Sequence, residues 1–304
     1  MRTEGADLKS IAEICAVAAA ALFLSLPLAG NAQDARRITI IYDAFGAPSA
    51  LQKDWGFAAL VEYGGKRILF DTGNNAGIFE HNAKELGIDL TRLDAVVISH
   101  RHGDHTSGLT HLLSVNSAVK IYAPQEAGFF EGRLPEAFLR ADPALPMDLR
   151  YYGGNTPDRF ATGTPWEQGH FETVTKTTEV FPGFYLLTVR SEKPGTMEMN
   201  EVSLAVRTPK GLVMVVGCSH PGVENILEAA AGIDRRLYLV IGGFHLVMAP
   251  LDEVRRTAAV LDDGLKVERV APAHCTSELG FAVLLERFKK RFDRAGVGAV
   301  ITLP

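Results

Sequence analysis

The run Val96–Leu109, VVISHRHGDHTSGL, constrains this chain more than any other stretch. An apolar, β-branched segment ends in three histidines and an aspartate within six residues. Side chains alternate along extended backbone, so His100 and His102 point the same way and can reach one cation. Asp104 and His105 follow at once and can turn toward a second cation nearby. Gly103, Ser107 and Gly108 are small enough to let the loop bend that tightly. Imidazole with carboxylate suits zinc, iron or manganese rather than calcium. The loop lies between an apolar strand and the helical run LTHLLSV, a position where α/β enzymes place chemistry.

One loop cannot complete such a site. His220 in VVGCSHPGVENI, His245 in VIGGFHL and His274 in APAHCTS each end an apolar run, and their corresponding positions predict that they converge with the first cluster. His81 and His111 fall on helical stretches and are assigned no role, whereas His170 sits in an irregular region where it could line a pocket.

The 304 residues, 47% hydrophobic and 22% charged, fit an ordinary globular enzyme. Their 31 Lys+Arg against 36 Asp+Glu leave no basic excess to neutralise phosphates, so a small-molecule substrate is expected and nucleic acid is not. Near the start, Ile14–Leu28 is an uncharged apolar run preceded by Arg2 and Lys9 and followed by AGNA. It reads as a secretory signal over residues 1–32, cleaved after Ala32, with an uncleaved membrane anchor as the competing reading because Glu4, Asp7 and Glu13 are atypical. A periplasmic or secreted domain over 33–304, without stable membrane association after cleavage, follows from the first reading. Cys15 would leave with the signal. Cys218 and Cys275 would remain where disulfides persist, so a bridge between them is an open alternative to a role at the site.

Strand patterns over RRITIIYDAF and GFAALVEYGGKRILFDTG predict a strand and a hairpin turning at Gly64-Gly65. A helix is expected over Ile78–Leu86, then strands at LDAVVIS and AVKIYAP. From about 125 to 195 the texture becomes Pro- and Gly-rich with scattered aromatics, and it reads as an insertion or lid rather than a layer of the core. Order resumes with the strands of GFYLLTVR and EVSLAVRTPKGLVMVVGCSH, followed by alternating helices and strands to GAVITLP. Two β-rich halves with helices outside suggest two packed sheets flanked by helices.

Together LFDTG, ISHRHGDHTSGL, VVGCSHPGVENI, GGFHL and HCTS resemble the metallo-β-lactamase-fold superfamily. More narrowly they resemble its branch of archaeal dihydropterin aminobenzene ribofuranosyl phosphate synthase-like proteins. The resemblance implies a four-layer αββα sandwich with a site for two divalent metal ions, zinc first, with manganese or iron as alternatives. His100 and His102 would bind the first ion, Asp104 and His105 the second, and His274 would join the second. Asp71 in FDTG would orient the ligand loop. Many members carry a further histidine upstream of the strand pair that precedes the glycine-aspartate or glycine-cysteine ligand. Here that stretch is GTMEMNEVSL, so His220 is expected to supply the imidazole. Cys218 would then be a ligand or a neighbouring thiol, and His245 a group beside the ligands or facing substrate.

This constellation implies an exported metal-dependent hydrolase in which metal-activated hydroxide, oriented by Asp104, attacks an ester, phosphoester or lactam-like bond. A pterin-related synthase or transferase, or a di-iron redox or metal-binding protein, are the alternatives. No Gly-x-Ser-x-Gly elbow is present, which disfavours a serine hydrolase. Arg133, Arg140, Arg150 and Arg159 could meet a substrate phosphate from the insertion.

Overall fold

The computed structural model describes residues 35–126, 143–155, 166–194 and 197–304. The expected signal segment and Arg133, Arg140 and Arg159 lie outside the described residues. Among those described, no helix is long and apolar enough to cross a membrane.

The chain opens with β1 (Arg37–Tyr42), β2 (Ala58–Tyr63) and β3 (Lys66–Phe70), an antiparallel meander. Gly64 and Gly65 turn the β2–β3 hairpin with φ of 54° and 76°, the left-handed pair that a tight two-residue turn needs. After helix α1 (Ala76–Glu85), whose amino end is capped by Asn75 Oδ1 accepting from the Gly77 and Ile78 amides, the chain turns parallel. Strands β4 (Ala95–Val97), β5 (Lys120–Pro124) and β6 (His170–Val174) extend the sheet beyond β3, and α2 (Gly103–Thr106) and α3 (Leu109–Val115) lie between β4 and β5. The second sheet contains β7 (Thr178–Phe181), β8 (Phe184–Ser191), β9 (Met199–Thr208) and β10 (Gly211–Val216), each antiparallel to the one before it. It continues in parallel through β11 (Leu237–Gly243) and β12 (Arg269–Ala273), with α4 (Val223–Ala230), α5 (Leu251–Ala259) and α6 (Glu278–Phe288) as connections. The last strand, β13 (Val300–Thr302), returns to the first sheet beside β1.

Side-chain alternation builds the layers. On β10, Val213 and Val215 face the apolar core shared with Ile38, Ile40 and Val61 of the first sheet. Leu212, Met214 and Val216 face the other way, into a cluster with Ile226 and Leu227 of α4 and Leu284 of α6. The outer face of the first sheet, with Leu60, Leu69 and Val96, packs on Phe79 of α1 and Leu109 and Leu112 of α3. Two sheets between two helical layers form the expected αββα sandwich.

The expected insertion needs correction. Residues 170–181 contain β6 and β7, which pair into the two sheets, and the strand expected at GFYLLTVR is β8. β6 is an edge strand whose outward residues are solvated, so its alternation is weak and its sequence looked irregular. His170 is exposed on it. Arg150 donates to the carbonyls of Leu145 and Pro143 at 2.8 and 2.5 Å, within its own segment.

Candidate metal centre

Strands β3, β4, β10, β11 and β12 end at one edge of the sandwich, and the residues just past those ends carry the chemistry. Asp71 follows β3, His100 follows β4, Cys218 and His220 follow β10, His245 follows β11 and His274 follows β12. Asp104 and His105 occupy the single turn of α2, so they turn inward by helical winding rather than as part of an extended loop. The Phe57 amide donates to the Asp104 carbonyl at 3.2 Å and the Thr72 amide to that of His105 at 2.8 Å, which fastens this turn to the first sheet. The Val202 amide donates to Ser99 at 2.8 Å and joins the same loop to the second sheet.

A buried hydrogen-bond network orients the imidazoles. Asp71 is fully buried and accepts from the Ser99 amide and hydroxyl, each at 2.7 Å, and from His105 Nδ1 at 2.7 Å. Because the Ser99 hydroxyl proton goes to Asp71, His100 Nδ1 must donate to Ser99 Oγ, at 2.8 Å. Glu201 does the same for His220, accepting from its Nδ1 at 3.0 Å and from the Ser219 and His220 amides at 2.7 and 2.9 Å. In all three histidines Nε2 is left as the lone-pair nitrogen. Such carboxylate–histidine pairs fix the tautomer and ring direction that a metal ligand requires.

These nitrogens converge. His100 and His102 rings lie 4.8 Å apart between centroids, and His220 lies 4.7 and 4.9 Å from them. The ligand atoms of Asp104, His105, Cys218 and His274 all lie within 4.8 Å of one another, as do those of His100, Cys218 and His220, and those of His100, His102 and Asp104. Cys218 therefore sits between the two halves of the cluster, with its Sγ 3.2 Å from His105 Nε2. His100 Nε2 is buried with no hydrogen-bond partner. Nε2 of His274 stands 3.3 Å from Asp104 Oδ2 without hydrogen-bond geometry, and its Nδ1 also has no partner. Buried polar atoms are rarely left unpaired, and those of His100 and His274 on either side of the Asp104 carboxylate fit a divalent cation.

The electrostatics agree with that fit at His100 and Asp104, whereas at His105 a cation would have to displace a second proton from Nε2. Burial, reinforced by the surrounding imidazoles, pushes His100 well below its ordinary pKa and keeps it neutral. Burial disfavours charge on Asp104 as well, but His274 and His105 outweigh it and hold the carboxyl below the carboxylate range. Burial also works against protonated His105, but Asp71 overcomes it and raises the ring to about 9.

The backbone is strained around the cluster. Asp71, Ser219, His245 and His274 all have left-handed φ, from 43° to 63°. Each costs about 1 kcal/mol or more, and such strain persists only where other contacts overdetermine it. For Ser219 the contact is Glu201. For His274 it is Asp43, whose carboxylate accepts the His274 amide at 3.1 Å and is raised by burial to about 7.

All the site residues expected from sequence are at this edge: His100, His102, Asp104, His105, His220 and His274, with Asp71, Cys218 and His245 around them. His81 instead meets the Ala50 carbonyl and His111 pairs with Glu80. Sequence reading missed Asp43, Ser99 and Glu201, which hold ligand-bearing segments, and Trp55, whose 44%-exposed ring lies 4.8 Å from His274. Asp43 and Ser99 each adjoin an apolar strand end, the one signal that could have flagged them.

Comparison with known proteins matches residues 56–274 to the family model described as the metallo-beta-lactamase superfamily. The chain belongs to that superfamily. It is 32% identical over 275 residues to a 7,8-dihydropterin-6-methyl-4-(beta-D-ribofuranosyl)-aminobenzene-5'-phosphate synthase of Methanocaldococcus jannaschii, covering 86% of this chain and 93% of that one. A crystal structure of a metal-dependent hydrolase of the beta-lactamase superfamily superposes with a TM-score of 0.66 at 26% identity, covering 88% of this chain and 99% of the other. Human tRNase Z, short form, shares the fold with a TM-score of 0.51 at 16% identity over 88% of this chain and 99% of its own. Superfamily members typically bind divalent metals, and the cluster of His100, Asp104, Cys218 and their neighbours has ligands to do so.

Because Asp71 holds both His105 and Ser99, Asp71→Asn is expected to weaken metal affinity by roughly tenfold to a hundredfold. Competition with a chromogenic chelator measures this, and unchanged affinity would remove Asp71 from the machinery.

Proposed function

We propose that this superfamily member is an exported metal-dependent hydrolase acting on an ester, phosphoester or lactam-like bond of a small molecule. The observation that carries the reading is the set of buried, unpartnered imidazole nitrogens of His100 and His274 around Asp104. His100, His102 and His220 would hold one divalent ion and Asp104, His105 and His274 the other, with the Cys218 sulfur between them favouring zinc. Two such ions supply Lewis acidity and an activated water at neutral pH. The chain's own groups do the positioning. Asp71, Ser99 and Glu201 fix the imidazole tautomers, Asp104 orients the attacking water by accepting its proton in a hydrogen bond, and the buried strand ends exclude bulk water. Trp55 forms a flat apolar wall against His274.

A second reading, a pterin-related synthase or transferase, is supported by the 32% identity to the archaeal synthase over most of both chains. Metal analysis of protein purified without added metal, paired with product analysis over phosphoester, lactone, thioester and lactam substrates, tests both. About two zinc or manganese ions per chain with water added to the product supports hydrolysis. Transfer of the group to an acceptor favours the synthase reading, and iron without either reaction overturns both in favour of a redox centre. Export is tested by the mass of the protein in the periplasmic or secreted fraction. A chain beginning at Gln33 is expected, and a chain that keeps Met1 in the membrane fraction would overturn it.

A further inference from the structure

The centre above leaves two groups at the same edge without a task. Cys275 follows His274 directly, and His245 lies two residues past Gly243, the last residue of β11. Their ligand atoms and that of Cys218 all lie within 4.8 Å of one another. Both thiols are buried, 4% and 2% exposed, and they are not joined. The Cys275 thiol contacts the Cys218 carbonyl at 3.5 Å, and His245, the third member of the group, has its Nδ1 buried without a partner. The backbone is shaped around this group. A Cβ at Gly243 would stand 2.7 Å from the Cys275 sulfur and 2.7 Å from the Gly217 carbonyl oxygen, so only glycine lets the chain pass this close to the thiol. His245 itself is held at a left-handed φ of 49°. An alanine or valine in place of either thiol would fill much of the same space without a polar atom, whereas here two sulfurs and a buried, unpartnered imidazole nitrogen face one another.

Two sulfurs and one imidazole form a soft donor set. It matches three-ligand zinc positions that keep a fourth place open, and sulfur selects zinc, cadmium or copper(I) over magnesium or manganese. We propose that Cys218, His245 and Cys275 form a third metal position, selective for a soft cation, that shares the Cys218 sulfur with the Asp104–His105–His274 cluster. The proposal leans on the reading of that cluster as a metal centre only through the shared sulfur.

The test is titration of the reduced, metal-free full chain with cadmium chloride, following uptake by equilibrium dialysis and ultraviolet thiolate-to-cadmium absorption. The wild type is expected to take up one equivalent more than Cys275→Ser and Cys275→Ala, and to show about twice their absorption, because two sulfurs become one. His245→Ala is expected to keep the absorption and bind the last equivalent at least about tenfold more weakly, as expected for loss of one of three ligands. His102→Ala leaves both thiols in place, so it should keep the full absorption even if the hydrolase reading fails. Equal uptake and absorption in the wild type and both Cys275 variants would overturn the proposal. So would peptide mapping of anaerobically purified protein that finds Cys218 and Cys275 joined and two hydrogens lighter, since the pair would then be a structural bridge.

Discussion

His102→Ala is expected to lower metal-dependent kcat/KM by about three orders of magnitude while the chain still folds. The size follows from the several kcal/mol that an ion supplies to charge developing in a transition state, at about 1.4 kcal/mol per factor of ten. His102 suits the experiment because it is half-buried on a loop and its side chain does not cap the α2 turn, so its loss leaves no hole in the core. Its ring nevertheless stands within 5 Å of both His100 and His220, so its removal opens one side of the cluster. Metal content should fall with activity while the thermal midpoint of the metal-free protein stays near that of the wild type. Turnover at the wild-type level would overturn the assignment of this loop.

The second large effect is expected at Glu201, and it combines stability with site assembly. Glu201 is fully buried on β9 and accepts three hydrogen bonds, from two amides and the His220 ring. Burial opposes its charge, but His220 and the two amides outweigh it and hold the carboxyl below its ordinary value. Glu201→Ala leaves three buried donors unpaired, at about 1 to 3 kcal/mol each, which sums to about 3 to 9 kcal/mol against a typical stability of about 5 to 15. It also frees the His220 ring to rotate. Thermal denaturation and metal content should both drop. Glu201→Gln, which keeps one acceptor oxygen, should recover part of the stability and little of the metal. An unchanged melting point in the alanine variant would show that water or another group satisfies those donors.

Glu201 also shows how far the sequence could be read. The loop His100–His105 was legible because its ligands are adjacent and follow an apolar strand, and His220 and His274 because each ends such a strand. The sandwich was legible because the alternation of Val213 and Val215 against Leu212 and Met214 announces two different cores. Glu201 carries no such signal in GTMEMNEVSL, because one acidic residue in an alternating strand ordinarily points to solvent. It became visible only when the bend after β10 placed two amides and a ring against it. Asp43 has the same history, since an aspartate after a strand usually marks a turn, and its partner is the amide of His274 rather than anything nearby. The edge strand β6 has no legible strand signal, because its one firmly buried residue, Val174, gives no periodicity.

The hydrogen bond between Asp43 and His274 joins residues 231 positions apart, and β13 must lie beside β1 before the first sheet is complete. That fixes an order of events during synthesis. When the His100–His105 loop has emerged, the segments that will carry Cys218, His220 and His274 do not yet exist, and an ion meeting the nascent chain finds only part of its ligands. Contacts of such long span form late, because the chain must first close a large loop. Completion of the ion-binding edge therefore waits for the last step of folding: a truncated chain ending before β12 would have most of its apolar core and the His100, His102 and His220 set, but without His274 the position it would share with Asp104 and His105 stays open.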